Sequence, residues 1–92
     1  MAFQWDQAKN RTNWRKHAIR FQTAARIFNG PVIQAPDDRE DYGEQRFIAI
    51  GDVDARVVVV TYAFRGKDVR LISARKATRH EAQEYYEAIY GQ

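Results

Sequence analysis

The second half of the chain alternates between apolar and polar residues in runs short enough to be β-strands. Three such runs, at residues 46–51, 56–64 and 69–74, are separated by short turns. Strands joined by short turns pair side by side, so the pattern predicts an antiparallel meander. Residues 57–60 are all valine, which predicts that the middle strand is central and covered on both faces.

The same pattern predicts how the last two of these strands pair. If Phe64 lies opposite Val69, alternate residues of both strands share one face of the sheet: Val58, Val60, Tyr62, Phe64 and Leu71. Arg70 and Lys76 are then expected to project from the opposite face.

A helix start follows the last strand. Thr78 and Glu81 have the spacing of a capping box, in which each side chain satisfies a free backbone N–H of the first helical turn. The spacing therefore predicts a final helix over residues 79–90. Its apolar side contains Ala82, Tyr85, Tyr86 and Ile89.

The first half of the chain has helical spacing. Asp6 is a good N-cap for a helix at residues 7–17, which is mostly polar. The evident packing residues of this helix are Ala8, Thr12 and Trp14. The remaining predicted elements are a short strand at 3–5, a second helix at 22–28, a strand at 32–35 and an acidic loop at 36–44.

These elements follow the order β-α-α-β-β-β-β-α. The order predicts an α+β fold, with a small antiparallel sheet, two N-terminal helices and one C-terminal helix. A length of 92 residues and an apolar content of 45% fit one folded domain over residues 1–92. The chain has no cysteine, its longest apolar run is too short to cross a membrane, and no secretory signal is evident. We therefore expect a soluble, cytoplasmic protein.

Charge is distributed unevenly around the net value of +3. Residues 9–20 hold five Lys or Arg and no acid, and residues 65–80 hold six against one acid. Between them, residues 37–44 hold five acids against one Arg. Two basic segments that converge on one face would suit a polyanion. A solvated charged surface explains the same distribution equally well.

Several chemistries have no motif in this sequence. It contains no nucleophile elbow, glycine-rich phosphate loop or zinc-ligand spacing, and we predict neither a metal site nor a cofactor. The end of the last strand and the start of the last helix bring Arg75, Lys76 and Arg79 together beside free backbone N–H groups. Such a place attracts phosphate.

Cleavage of RNA without a metal requires cations and a proton-transferring group. The cations neutralise the pentacoordinate phosphorus, and an acid and a base move protons at the two oxygens. His17 fits the second role because imidazole changes its protonation state near neutral pH. The other interpretation of His17 is a partner for the negative end of its helix. Composition does not separate a ribonuclease from a simple binding module.

Runs along nearly the whole chain resemble one known family. They are F-x-W-D-x-x-K from Phe3, N-x-x-K-H-x-I-x-F from Asn13, E-x-R-F-I-x-I-G from Glu44 and R-x-I-S-A-R-K-A-T-x-x-E from Arg70. In order and spacing they look like BrnT-type toxins of type II toxin–antitoxin systems. The resemblance implies a RelE-like fold and a ribonuclease activity that arrests translation and growth. It also implies a BrnA-type antitoxin, through which alone the complex would bind operator DNA, and no membrane partner.

One position departs from the family pattern. Ala18 follows the K-H pair, where family members usually have Gly. Gly permits a left-handed helix stop, and Ala in that conformation costs about 1 kcal/mol. We therefore expect the first helix to end differently.

The cations and the resemblance together predict a metal-independent endoribonuclease. The residues predicted to bind and stabilise the scissile phosphate are Arg70, Arg75 and Arg79. The residues predicted to line the same cleft are Lys9, Lys16 and His17, with His17 as the preferred acid–base group and Lys16 as the second candidate. Lys9, Lys76 and Arg65 are predicted to bind RNA. The alternative is a non-catalytic RNA- or protein-binding module that uses the same basic face.

Overall fold

The computed structural model describes residues 1–91. Over these residues the chain forms a five-stranded sheet with the strand order β1-β5-β4-β3-β2. The strands are β1 (Phe3–Gln4), β2 (Ile33–Asp37), β3 (Arg46–Val53), β4 (Arg56–Arg65) and β5 (Asp68–Lys76). The helices are α1 (Gln7–His17), α2 (Phe21–Ala24), which continues as a 3-10 helix over Ala25–Asn29, and α3 (Arg79–Tyr90). In this part of the chain no helix combines the length and apolarity that a membrane crossing requires.

The sheet is mixed, so the prediction of an antiparallel sheet was wrong. The neighbouring strands from β2 to β5 are antiparallel, but β1 pairs with β5 in parallel, with Phe3 opposite Val69. The N–H of Val69 donates to the carbonyl of Ala2 over 2.9 Å. Most of the chain lies between β1 and β5, so no tight turn sets their relative direction, and the sequence pattern does not reveal it.

A β-bulge interrupts the pairing of β4 with β5. Phe64 lies opposite Val69, which confirms the predicted register at the start of the pair. The register then shifts by one residue between Thr61 and Tyr62, so that Ile72 is an extra residue on β5. Beyond a bulge of this kind, the side chains of the bulged strand exchange faces.

The bulge decides which basic side chains of β5 lie together. Lys76 lies opposite Val58, whose side chain is fully buried between the sheet and α2. Arg75 therefore projects from the other face, which it shares with Arg70. The prediction that Lys76 shares the face of Arg70 was wrong, because the sequence gives no sign of the extra residue.

The two faces of the sheet are covered by different helices. We call the face beneath α2 and the 3-10 helix the core face, and its buried side chains include Phe21, Ala24, Ile27, Val58, Val60 and Leu71. On the opposite face, α3 buries Tyr85 completely, and the Tyr85 hydroxyl donates to the carbonyl of Pro31 over 2.7 Å. Val57 and Val59 are also buried, so β4 is covered on both faces, as predicted.

Buried amides attach α1 to the rest of the molecule. Asn13 Nδ2 donates to the carbonyl of Ala74 over 2.8 Å, and Asn13 Oδ1 accepts from the Ala74 N–H over 3.0 Å. Asn13 thus pairs with the outer edge of β5 as a neighbouring strand would. Asn10 Oδ1 accepts from the N–H of Phe21 over 2.8 Å. These contacts bring the start of α2 and the edge of β5 against the same helix.

The predicted packing residues of α1 do not anchor it. Trp14 is 45% exposed and Ala8 is exposed, whereas Asn10 and Asn13 are the buried residues of α1. Hydrophobic periodicity predicts packing by apolar side chains and cannot identify a helix that is held by amide hydrogen bonds.

Ala18 ends α1 in the left-handed conformation, with φ 55° and ψ 34°, and its N–H donates to the carbonyl of Trp14. The expectation that Ala would change the helix end was wrong. The local cost of a Cβ in this conformation is outweighed by the buried contacts of Asn13 and Ile19 on either side of it.

Candidate functional site

Arginine side chains from adjacent strands project together from the sheet face opposite the core face. They are Arg46 on β3, Arg65 on β4, and Arg70 and Arg75 on β5. We call this surface the arginine face. It exists because strand alternation puts every second residue on one side, and because the bulge at Ile72 turns Arg75 to the side of Arg70.

Glu44 binds arginines at the end of the arginine face where β5 begins. Its carboxylate lies 2.5 Å from Arg70, 3.3 Å from Arg46 and 3.7 Å from Arg65. Partial burial favours the neutral form of Glu44, but the hydrogen bonds and charges of these arginines outweigh burial and lower its pKa. Glu44 is therefore ionised at neutral pH and keeps the guanidinium groups in fixed positions. Arg70 Nε is buried and has no hydrogen-bond partner among residues 1–91.

Glu81 binds Arg75 at the other end of the arginine face, where β5 ends. Both of its oxygens accept from Arg75, over 2.8 Å and 2.9 Å. Glu81 also accepts from the N–H of Thr78, and the Thr78 hydroxyl accepts from the N–H of Glu81, which confirms the predicted capping box. The Arg75 hydrogen bonds, with help from Thr78, lower the pKa of Glu81 to about 2. The start of α3 and the end of β5 are thus joined by one carboxylate.

The loop between β2 and β3 forms a further side of this surface. Arg39 donates to both oxygens of buried Asp37, over 2.7 Å and 2.8 Å, and these bonds lower the pKa of Asp37 to about 2. Glu81 raises the pKa of Arg75, while the nearby charge of Arg39 opposes that effect. Asp37 lies opposite Arg46 on the neighbouring strand, so its pair with Arg39 borders the arginine face. Within residues 1–91, no three His, Cys, Asp or Glu side chains gather into a possible metal site.

The predicted residues of α1 lie on two different flanks of that helix. Asn13 points at β5, and Asn10 points at α2 on the core face. Helical spacing puts Lys9 and Lys16 on the flank of Asn13 away from Asn10, and therefore toward the arginine face. It puts His17 on the same flank as Asn10. The side chains of Lys9, Lys16 and His17 are all exposed.

The structure thus brings some of the predicted residues together and separates others. Arg65, Arg70 and Arg75 share the arginine face. Arg79 is exposed in the first turn of α3, where helical spacing puts it on the side of the helix away from Glu81, in a groove with Gln83 and Tyr86. Lys76 lies on the other side of the sheet.

Sequence reasoning missed the carboxylates that hold the arginines, and it missed Arg39 and Arg46 as neighbours. Glu44 and Arg46 stand two residues apart in the E-x-R-F run. That run and the alternation of β3 were the available signals for placing Arg46 on this face.

The fold has a counterpart among solved structures. The 1.1 Å crystal structure of the Brucella abortus ribonuclease toxin BrnT is similar to this chain, with a TM-score of 0.64 and 25% sequence identity. The similarity covers 86% of this chain and 99% of the Brucella toxin. The chain therefore has a fold similar to that of a known ribonuclease toxin.

The family described as the ribonuclease toxin BrnT, of type II toxin–antitoxin systems, matches residues 5–81. The chain belongs to this family. The matched range contains α1, the strands β2 to β5 and the carboxylate of Glu81 that binds Arg75. No curated protein matches the chain.

Proposed function

We propose that this toxin is a RelE-like, metal-independent endoribonuclease that cleaves RNA on the arginine face and thereby arrests translation and growth. The observation that carries the proposal is the pairing of Arg70 and Arg75 with Glu44 and Glu81 on one face of the sheet. Guanidinium groups fixed in this way are ready to stabilise a developing negative charge without rearranging.

In the proposed reaction, the 2′-oxygen of a ribose attacks the adjacent phosphorus while the bond to the 5′-oxygen breaks. The 2′-hydroxyl loses its proton to water, and an acid protonates the departing 5′-oxygen. The products are a 2′,3′-cyclic phosphate and a 5′-hydroxyl. Arg70 and Arg75 neutralise the pentacoordinate phosphorus. Arg75 uses one N–H of each terminal nitrogen for Glu81, which leaves donors on the same guanidinium for phosphate oxygens.

Lys16 is the group that we propose as the acid, with His17 as the second candidate. The flank of Asn13 that carries Lys9 and Lys16 faces the arginine face, whereas His17 lies on the flank of Asn10. We propose that Arg65, which lies beside Glu44, binds a phosphate next to the cleavage site, and that exposed Arg79 at the start of α3 binds the RNA farther along the strand. Lys9 adds a phosphate contact from α1.

A type II toxin has an antitoxin partner, and we propose a BrnA-type protein in the cytoplasm that binds DNA on behalf of the complex. An acidic segment of the antitoxin would cover the Lys9–His17 and Arg70–Arg79 regions together. Its association rate should fall between low and physiological salt, because exposed charges are screened beyond about 8–10 Å. An association rate that does not change with salt, with RNA still able to bind the complex, would place the antitoxin elsewhere.

The experiment that tests the proposed activity is cleavage of a defined RNA by the purified chain in EDTA. We expect 2′,3′-cyclic phosphate ends, loss of cleavage in Lys16→Ala, and retained cleavage in His17→Ala. Expression without an antitoxin should slow growth. A requirement for added Mg²⁺ would contradict the metal-free mechanism. Binding of free and ribosome-bound RNA without cleavage would favour a non-catalytic RNA-binding module instead.

A further inference from the structure

The solvent side of α1 carries a basic aromatic surface that the proposed cleavage reaction does not use. Arg11, Trp14 and Arg15 are at helical spacings that put them on one side of α1. Together with Arg20 and Asn10 they line a cavity of about 190 Å³. We call the surface formed by Arg11, Trp14, Arg15 and Arg20 the α1 basic surface.

Trp14 is the centre of the α1 basic surface. Trp14 is 45% exposed, and the guanidinium carbon of Arg20 lies 4.3 Å from its ring centroid. Trp14 is not among the side chains of the core. Packing of the core therefore does not explain why a tryptophan stands here. Among residues 1–91, Arg11, Arg15 and Arg20 form no ion pair with a carboxylate.

We propose that the α1 basic surface is a second RNA-contact site, which holds single-stranded RNA beyond the cleavage site. Every base offers a face that can stack on an aromatic ring or a guanidinium plane, and unpaired arginines attract the phosphates between bases. The carboxylates of an acidic protein segment would pair with the arginines, but they would gain no favourable contact from an exposed indole ring. The combination of Trp14 with arginines therefore favours RNA over an acidic protein.

The position of the α1 basic surface supports its connection to the arginine face. Lys9 and Lys16 lie on the flank of α1 between β5 and the solvent side that carries Arg11 and Arg15. Helical spacing puts Trp14 on the flank of Asn10, so a strand that leaves the arginine face meets Lys16, then Arg15 and Arg11 on the solvent side, before it reaches Trp14. This inference rests on the proposed ribonuclease function for the site of cleavage, but the binding that it predicts does not require cleavage.

Binding of a non-cleavable strand tests the inference directly. The probe is a 2′-O-methyl RNA of about 16 nucleotides, the upper end of single-strand site sizes. We expect Trp14→Ala to raise its Kd by about fivefold or more, the smallest loss typical of one stacking platform. Trp14→Phe should bind within about twofold of wild type because a phenyl ring still stacks. Arg15→Ala should reduce the slope of log Kd against log salt by about 0.7, the value for one cation on a single strand.

A short substrate separates this site from the catalytic one. A dinucleotide is too short to reach around α1, whose diameter with side chains is about 10 Å, so Trp14→Ala should cleave it as fast as wild type. The matched control is Arg56→Ala, which removes one cation at the start of β4 and should leave the Kd of the long strand unchanged.

Several results would overturn the inference. An unchanged Kd in Trp14→Ala would do so, and so would an equal loss of dinucleotide cleavage, which would assign Trp14 to the scaffold or the catalytic site. Weaker binding of a polyglutamate peptide with unchanged RNA binding would make the surface a protein-docking site. Failure of all cleavage with the expected Kd changes would reject the proposed activity and keep the binding site.

Discussion

The two basic regions of this molecule hold their charge in different ways. On the arginine face, Arg70 and Arg75 are bound by Glu44 and Glu81 at distances of 2.5–2.9 Å. On the α1 basic surface, Arg20 is stacked on a tryptophan, and no carboxylate of residues 1–91 pairs with it. Charge that is held by carboxylates is precise in position but partly neutralised. Charge without partners is poorly fixed but acts over a longer range.

The two regions suit different tasks in a small basic protein. Chemistry at a phosphorus atom needs donors held within a fraction of an ångström, which the carboxylates provide. Attraction of a polyanion needs net positive charge, which the α1 basic surface provides. The following predictions test this division, and the first has the largest expected effect.

Arg75→Ala should lower RNA cleavage by about 100-fold or more, because loss of one donor to a developing oxyanion costs about 3 kcal/mol in barrier. The measurement is the single-turnover cleavage rate of a defined RNA. Glu81→Gln is the matched control, since it keeps the cation and the helix cap but loses the charge that holds Arg75. We expect Glu81→Gln to lose less activity. Equal thermal destabilisation of both variants, with activity lost in proportion, would reduce Arg75 to a structural clamp.

Asn13→Ala should lower the free energy of unfolding by about 2–4 kcal/mol, because it leaves buried groups of Ile19 and Ala74 without partners. Asn13 joins α1 to β5, so this variant tests the connection between the two regions. Urea unfolding measures the effect. Thr12→Ala removes only the hydrogen bond from the Thr12 hydroxyl to the carbonyl of Ala8 in the same helix, and it should change stability much less. Similar losses in both variants would show that the amide contacts of Asn13 do not hold α1.

Acid should destabilise the arginine face selectively. The pKa of Glu81 falls from its usual value of 4.5 to about 2 on folding. The stability that Glu81 contributes is therefore complete above about pH 5 and is lost as the pH falls toward 2. Solvent screens this partly exposed pair, so we expect a difference of about 1 kcal/mol between wild type and Glu81→Gln at pH 6. The difference should vanish near pH 2, as measured by denaturant unfolding, and a constant difference across this range would contradict the assignment.

Ala18→Gly should raise the free energy of unfolding by about 0.5–1 kcal/mol, the smallest effect of the series. Gly adopts the left-handed conformation of this residue without strain, and the greater freedom of the unfolded chain offsets part of the gain. The comparison of the two regions predicts that RNA cleavage stays unchanged, because neither region changes its contacts. Thermal unfolding and a cleavage assay measure both, and a destabilised variant would mean that Ala18 is held by contacts of its methyl group.

The sequence predicts the strands well because their signal is local. The alternation of β3 to β5 and the register at Phe64 and Val69 follow from residues within each hairpin. The capping box at Thr78 and Glu81 follows from residues three apart. Each of these features requires no knowledge of distant parts of the chain.

The features that prediction missed depend on distant contacts. Asn13 looks like an ordinary polar residue until Ala74 is known to lie beside it, 61 residues along the chain. The extra residue Ile72 carries no mark in the sequence, and it alone decides that Arg75 rather than Lys76 joins Arg70. The predicted roles of the site residues remain predictions. Arg70 and Arg75 share a face of the sheet only because of this β-bulge.

The parallel pairing of β1 with β5 affects how the protein is made. Ala2 and Asp68 are hydrogen-bonded across 66 residues, so β1 has no partner in the sheet until β5 has been synthesised. The attachment of α1 is delayed in the same way, because the side chain of Asn13 is hydrogen-bonded to Ala74 in β5. A nascent chain that stops short of β5 therefore has neither a closed sheet edge nor Arg70 and Arg75. We expect products that are truncated before β5 to be harmless, so that toxicity requires synthesis at least through β5.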